Sequence, residues 1–177
     1  MKQYKIIFSS KESENFQMEV LAPESILFSE LHQAIQSALE YDPLQMASFF
    51  MSDENWSKNE EIALIDMEEK GEALLMEELK LSEKLTTKGQ KLLYLFDFFS
   101  ERFFNMTIEE IEDSSKAKFS IDVKGEVPPQ INIDNESIDL LMQDMGAPSA
   151  ADAIEDFDED YNDNDISFEN IDDLEDF

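Results

Sequence analysis

Few side chains in this sequence are equipped for chemistry. His32 is the single histidine and the chain has no cysteine, which removes thiol nucleophiles, disulfides and cysteine-based metal sites. A catalytic base needs convergent partners, and the sequence offers His32 neither a second histidine nor a serine in an elbow motif. Its neighbours place it instead at the edge of a helix's buried face, as a packing or capping residue. Asp97, Glu101 and Asp113 form a carboxylate set that a hairpin could gather for metal binding or acid/base work. Asp97, however, follows five apolar residues, Leu92 to Phe96, and is expected to hydrogen-bond a turn at the end of that strand. Arg102, the single arginine, is expected to pair with a carboxylate near Glu101 or to stack on a phenylalanine.

The last residues carry oxygen ligands at a suggestive spacing. Asp158, Asp160, Asn162, Asn164 and Glu169 stand at positions 1, 3, 5, 7 and 12 of a calcium-loop register. The glycine such a loop needs at its sharp turn is Asp163, and the apolar anchor position is Asp165. In a segment where 13 of the 27 residues from Ala151 onward are acidic, the register arises by chance, and no metal or other cofactor is expected. More informative are the apolar residues set among these carboxylates, of which Phe168, Ile171, Leu174 and Phe177 are the candidate partner-binding anchors. Acidic and apolar residues in alternation suit a segment that stays open in water and lays a few anchors into a basic-rimmed groove. The plainer alternative is a solubilising tail whose apolar residues rest on the domain itself.

Charge sorts the remaining possibilities. Against 13 Lys and Arg stand 43 Asp and Glu, a formal net charge of -30 over 177 residues. Such a field repels a phosphate backbone, so direct nucleic-acid binding is not expected. The last basic residue is Lys124, and the 53 residues after it hold 18 acidic side chains. Residues 1–124, with 25 acidic and 13 basic side chains and most of the phenylalanines, can bury a core. No apolar run is long enough for a secretory signal or a membrane span, and the cytoplasm is the expected compartment.

Tyr4 to Phe8 and Phe16 to Leu21 are β-prone runs that predict a hairpin, with Pro23 ending the second strand. From Ser29, a plausible cap, the apolar spacing turns helical: Leu31, Ala34, Ile35, Ala38 and Leu39 share one face, with Glu30, Gln33, Gln36 and Glu40 opposite. Pro43 stops this helix by Asp42. Ala47 to Met51 and Ile62 to Ile65 read as short strands flanking a polar loop that contains Trp56, Lys70-Gly71 as a break, and Ser82 to Leu85 as one turn of helix. Leu92 to Phe96 and the returning Phe103 to Ile108 predict a central hairpin. Its mixed parity toward Ile111 calls for a bulge or a change to helix near Glu109. Phe119, Ile121 and Val123 alternate with polar residues as an edge strand closed by Gly125.

Several strings resemble the plasmid pRi open-reading-frame-three-like family, an insertion-element passenger family. They are Tyr4 to Phe8, Val20 to Pro23 leading to Phe28 through Ile35, Leu92 to Phe98, and Gly125-Glu126-Val127-Pro128-Pro129-Gln130. The resemblance spans residues 1 to about 133. The family's characteristic string Tyr-Asp-Phe-Gly-Asp-Asp-Trp corresponds here to Phe96-Asp97-Phe98-Phe99-Ser100-Glu101-Arg102, which keeps the first Asp and Phe but loses the glycine and the tryptophan. The resemblance implies an α+β fold and assigns no reaction.

The expected architecture is therefore α+β: a mixed or antiparallel sheet of about five strands with one main helix at 29–42, plus an acidic C-terminal tail. Its organisation is a globular domain over 1–133, a short helix and linker over 134–150, and an acidic, disordered segment over 151–177. The expected function is a non-catalytic interaction module that engages a basic protein surface, including that of a nucleic-acid-binding protein. The alternatives are an acidic nucleic-acid mimic and a metal-dependent enzyme built on the Asp97 and Glu101 carboxylates.

Overall fold

The computed structural model describes residues 1–67 and 73–131. The break at Lys70-Gly71, the linker helix and the acidic segment with its four anchors lie outside those residues. Ten elements follow in order: β1 (Lys2–Ser10), β2 (Gln17–Pro23), α1 (Phe28–Leu39), β3 (Ser48–Ser52), β4 (Lys58–Ala63), β5 (Leu74–Leu75), α2 (Leu81–Lys84), β6 (Lys91–Asp97), β7 (Arg102–Asp113) and β8 (Ser120–Lys124). No described helix is long and apolar enough to cross a membrane.

The α+β class is as expected, but the sheet has eight strands rather than about five, in the order β5-β4-β3-β6-β7-β1-β2-β8. Every pairing is antiparallel except β4 with β5. The extra length comes from residues with no apolar signature. Strand β4 begins at Lys58 and ends at Ala63, not Ile65, and its first four residues are exposed. Pairing with β3 holds them extended, not burial. The hairpin β6–β7 sits centrally, and β8 forms one edge.

The mixed parity of β7 is resolved by a bulge. Lys5 pairs with Glu110 and Ile6 with Ile108, so Glu109 is the extra residue. One inserted residue moves every later side chain to the opposite face. Phe104, Met106 and Ile108 therefore face the core before the bulge, and Ile111, opposite Tyr4, packs against it afterwards.

Helix α1 lies on the face that carries Tyr4, Phe49, Tyr94 and Phe104, with Leu31 and Ile35 fully buried against it. It starts one residue earlier than expected, and its N-cap is Leu27, not Ser29. Ser29 is already helical, and its N–H donates to the Met76 carbonyl at 3.0 Å while that of Phe28 donates to Leu79 at 3.0 Å. The backbone of the segment before α2 thus satisfies N–H groups that a helix start leaves without partners. The Glu30 carboxylate accepts from the Leu27 N–H at 2.8 Å, the carboxylate half of a capping box, since leucine has no side-chain oxygen to complete it. At the other end the chain leaves the helix after Leu39 rather than at Asp42, through left-handed Glu40 (φ 57). There the N–H of Tyr41 reaches back to Gln36 O at 2.9 Å, which closes the last turn.

Candidate functional site

The chemistry-bearing side chains divide into two hydrogen-bonded groups at the C-terminal end of α1. The first is built on Tyr94 in the middle of β6, a strand with nearly continuous burial. A tyrosine there buries its ring favourably, but its hydroxyl must find partners. Gln36 Nε2 donates to Tyr94 Oη at 2.6 Å, and His32 Nδ1 lies 2.8 Å from the same oxygen. His32 and Gln36, four residues apart on α1, are 3% and 2% exposed. Gln36 is therefore not on the solvent face as the helical spacing suggested. It shares the His32 stripe, which turns under the helix toward Tyr94.

Directions follow from the partners. Gln36 Oε1 accepts from Gln130 Nε2 at 3.3 Å, which leaves its amide nitrogen as the donor to Tyr94. The tyrosine hydroxyl's single proton finds an acceptor if it is given to His32 Nδ1, the arrangement in which the imidazole carries its own proton on Nε2. Burial lowers the basicity of His32 and holds it neutral. Burial also pushes the Tyr94 phenol well above its ordinary value, so the relay runs between uncharged groups.

The second group surrounds Arg102, which has an 8% exposed side chain. Its Nε donates to Glu12 Oε1 at 2.8 Å and its Nη2 to Glu12 Oε2, a bidentate fork across to the β1–β2 connection. Its Nη1 meets Asp97 Oδ2 at 3.4 Å and the Gln130 carbonyl at 3.3 Å. The guanidinium carbon stands 4.9 Å from the centre of the Phe96 ring, the stacking contact that the sequence suggested. The Glu12 partner, 90 residues away in sequence, was not foreseeable from spacing.

Asp97 performs the turn role expected of it. Its Oδ1 accepts from the N–H groups of Phe99 at 3.0 Å and Ser100 at 3.2 Å. Glu101 turns outward in a left-handed conformation (φ 48) and pairs with Lys58 at 3.2 Å. Asp113 ends β7, at the far end of the strand that Arg102 begins. The hairpin thus distributes the three carboxylates rather than gathering them. Among the described residues there is no cluster of three or more metal-ligating side chains.

Both groups converge on a strap that follows Gly125. Tyr41 Oη donates to the Pro128 carbonyl, and the N–H of Asp42 donates to Gln130 Oε1 at 2.7 Å while Gln130 Nε2 also reaches Asp42 O at 3.0 Å. Burial raises the Tyr41 phenol, which keeps it a donor. Three strings distant in sequence, Leu31-His32, Leu92 to Phe98 and Gly125 to Gln130, therefore meet at one place.

These are strings that carried the family resemblance. A family model described as plasmid pRiA4b ORF-3-like protein matches residues 6–168. The chain belongs to that family. The match runs past residue 133 into the acidic segment, so the family likeness extends further than the strings suggested. A crystal structure of MM3350 from Methanosarcina mazei Go1, a protein of unknown function, shares the fold. It is 21% identical, with a TM-score of 0.56, and the alignment covers 70% of this chain and 69% of that one. No curated protein matches this chain.

Proposed function

We propose that this family member is a non-catalytic, cytoplasmic interaction module whose folded domain presents the acidic segment 151–177 to a basic surface on a partner protein. The single observation that carries this reading is the one-sided charge of the chain: 18 acidic side chains and no Lys or Arg after Lys124.

Long-range attraction brings the partner in, and the apolar anchors Phe168, Ile171, Leu174 and Phe177 set how long it stays. Attraction between solvated charges is screened beyond about 8 Å at physiological salt, so the association rate falls steeply with ionic strength. Capture of partners from lysate by the full chain and by a chain lacking 151–177, at low and high salt, tests the reading. Loss of the captured proteins on deletion or on raising salt is expected, and unchanged capture by the shortened chain would refute it. Displacement of the captured protein by duplex DNA would mark the nucleic-acid-mimic form of the same mechanism.

A further inference from the structure

The relay at Tyr94 ends at His32 Nε2, which has no hydrogen-bond partner among the described residues. The ring, 3% exposed, lines a cleft of about 510 Å³, a size suited to a small organic molecule. Gln36 and Tyr41 form part of its inner wall, Leu64 and Pro43 add apolar surface, and the exposed Gln33 and Ser37 stand on the α1 side.

We propose that this cleft binds an uncharged small molecule through a carbonyl oxygen that accepts from His32 Nε2–H, a cyclic amide or lactam being the class that fits. The donor is set by the relay: Gln130 gives to Gln36, Gln36 to Tyr94, Tyr94 to His32, and His32 to the ligand. Each donor in such a chain polarises the next, so an acceptor at Nε2 is bound by the whole series. Among the described residues, the lining contains no Asp, Glu, Lys or Arg. An anion finds no counter-charge there and meets a chain of net charge -30. A cation would lose its water without a carboxylate to replace it. A lactam satisfies the site on both sides, since its carbonyl takes the imidazole proton, its N–H meets the Ser37 or Gln33 oxygen, and its methylenes cover Tyr41, Pro43 and Leu64. This binding does not draw on the role proposed for segment 151–177, and its test is separate from partner capture.

The single histidine makes the experiment direct. In the full-length, nitrogen-15-labelled chain at neutral pH, long-range proton–nitrogen correlation reads the tautomer and environment of His32 without ambiguity of assignment. The spectrum is expected to show the Nε2–H form. Titration with δ-valerolactam is expected to move the Nε2 resonance saturably, with half-saturation on the order of millimolar for so small a probe. Acetate and tetramethylammonium are expected to leave it in place, and Ser37→Trp, which fills the mouth without touching the relay, to abolish the lactam response. The proposal is overturned by an Nδ1–H tautomer, by no saturable shift with lactam, by an equal shift with acetate or tetramethylammonium, or by an undiminished shift in S37W with its free His32 resonance unmoved.

Discussion

Replacing Tyr94 by phenylalanine removes one oxygen and leaves two buried groups without it. Gln36 loses the acceptor at 2.6 Å and His32 loses the donor at 2.8 Å, and both residues are almost wholly enclosed. A buried polar group without a partner costs about 1–3 kcal/mol. The Gln36 amide oxygen keeps Gln130, so the joint loss belongs in the lower half of the doubled range, about 2–4 kcal/mol. For a domain of this size that lowers the melting temperature by roughly 8–16 °C. Tyr4→Phe is the internal control: its hydroxyl donates only to the Leu85 carbonyl, at 2.8 Å, so about 1 kcal/mol is expected. Urea unfolding followed by fluorescence of Trp56, the single tryptophan, gives both numbers. The slope with urea should be unchanged, since neither substitution alters the surface exposed on unfolding. A Tyr94→Phe cost below that of Tyr4→Phe would refute the relay as a coupled, enclosed network.

Other perturbations follow from the same geometry. Burial lowers the His32 pKa below its unfolded value near 6.5, so the unfolded chain binds the extra proton first. Its contribution is complete above about pH 6.5 and is lost as pH falls toward the folded value. Denaturation between about pH 5 and pH 7 should show that loss in the native chain and not in His32→Asn. Arg102→Met strips the cation from Asp97, whose side chain is 7% exposed, while Glu12, 43% exposed, returns to water; a loss of about 2–4 kcal/mol in chemical denaturation is expected. Gly125 and Gly89 both have positive φ, 79° and 84°, but a Cβ at Gly125 would stand 1.9 Å from the Asn15 carbonyl oxygen whereas at Gly89 nothing lies within 4 Å. Gly89→Ala should therefore cost about 1 kcal/mol by melting, the left-handed penalty alone, and Gly125→Ala distinctly more because backbone must move.

The parts of the fold written in local pattern were readable. The β1–β2 hairpin, the α1 stripe and the β6–β7 hairpin each announce themselves by period, because each buries one defined face. The bulge was half visible: Ile108 and Ile111 cannot both face inward on a regular strand, and only pairing to β1 shows that Glu109 absorbs the difference. Lys58-Asn59-Glu60-Glu61 and the two-residue β5 were not readable, since their extended form is imposed by neighbouring strands. At the site, the buried setting of His32 and the turn role of Asp97 follow from local sequence. Tyr94, Gln130 and Glu12 do not, because their meaning lies in contacts 28 to 94 residues away. Gln36 did carry a signal: it lies four residues after His32, and a second polar residue on a half-buried stripe asks for a partner below.

The relay also makes a claim that a single atom can reverse. In the native chain the amide of Gln36 must donate to Tyr94, because its oxygen is taken by Gln130. Gln36→Glu keeps the shape but leaves only acceptors at position 36. The tyrosine proton must then turn to the new carboxylate, and Tyr94 Oη becomes an acceptor toward His32. Nδ1 has to carry a proton to meet it. Either the neutral ring changes tautomer, turning the cleft-facing Nε2 into an acceptor, or the nearby negative charge draws in a second proton and raises the His32 pKa. Both outcomes are distinct from the native Nε2–H signature in the nitrogen-15 spectrum, and both should abolish the response to a carbonyl probe or convert it. A titration from pH 5 to pH 8 separates them, since the second requires imidazolium to persist above the native midpoint. An unchanged Nε2–H tautomer with an unchanged pKa in Gln36→Glu would mean that Tyr94 never donated to His32, and the direction assigned to every link from Gln130 outward would be wrong.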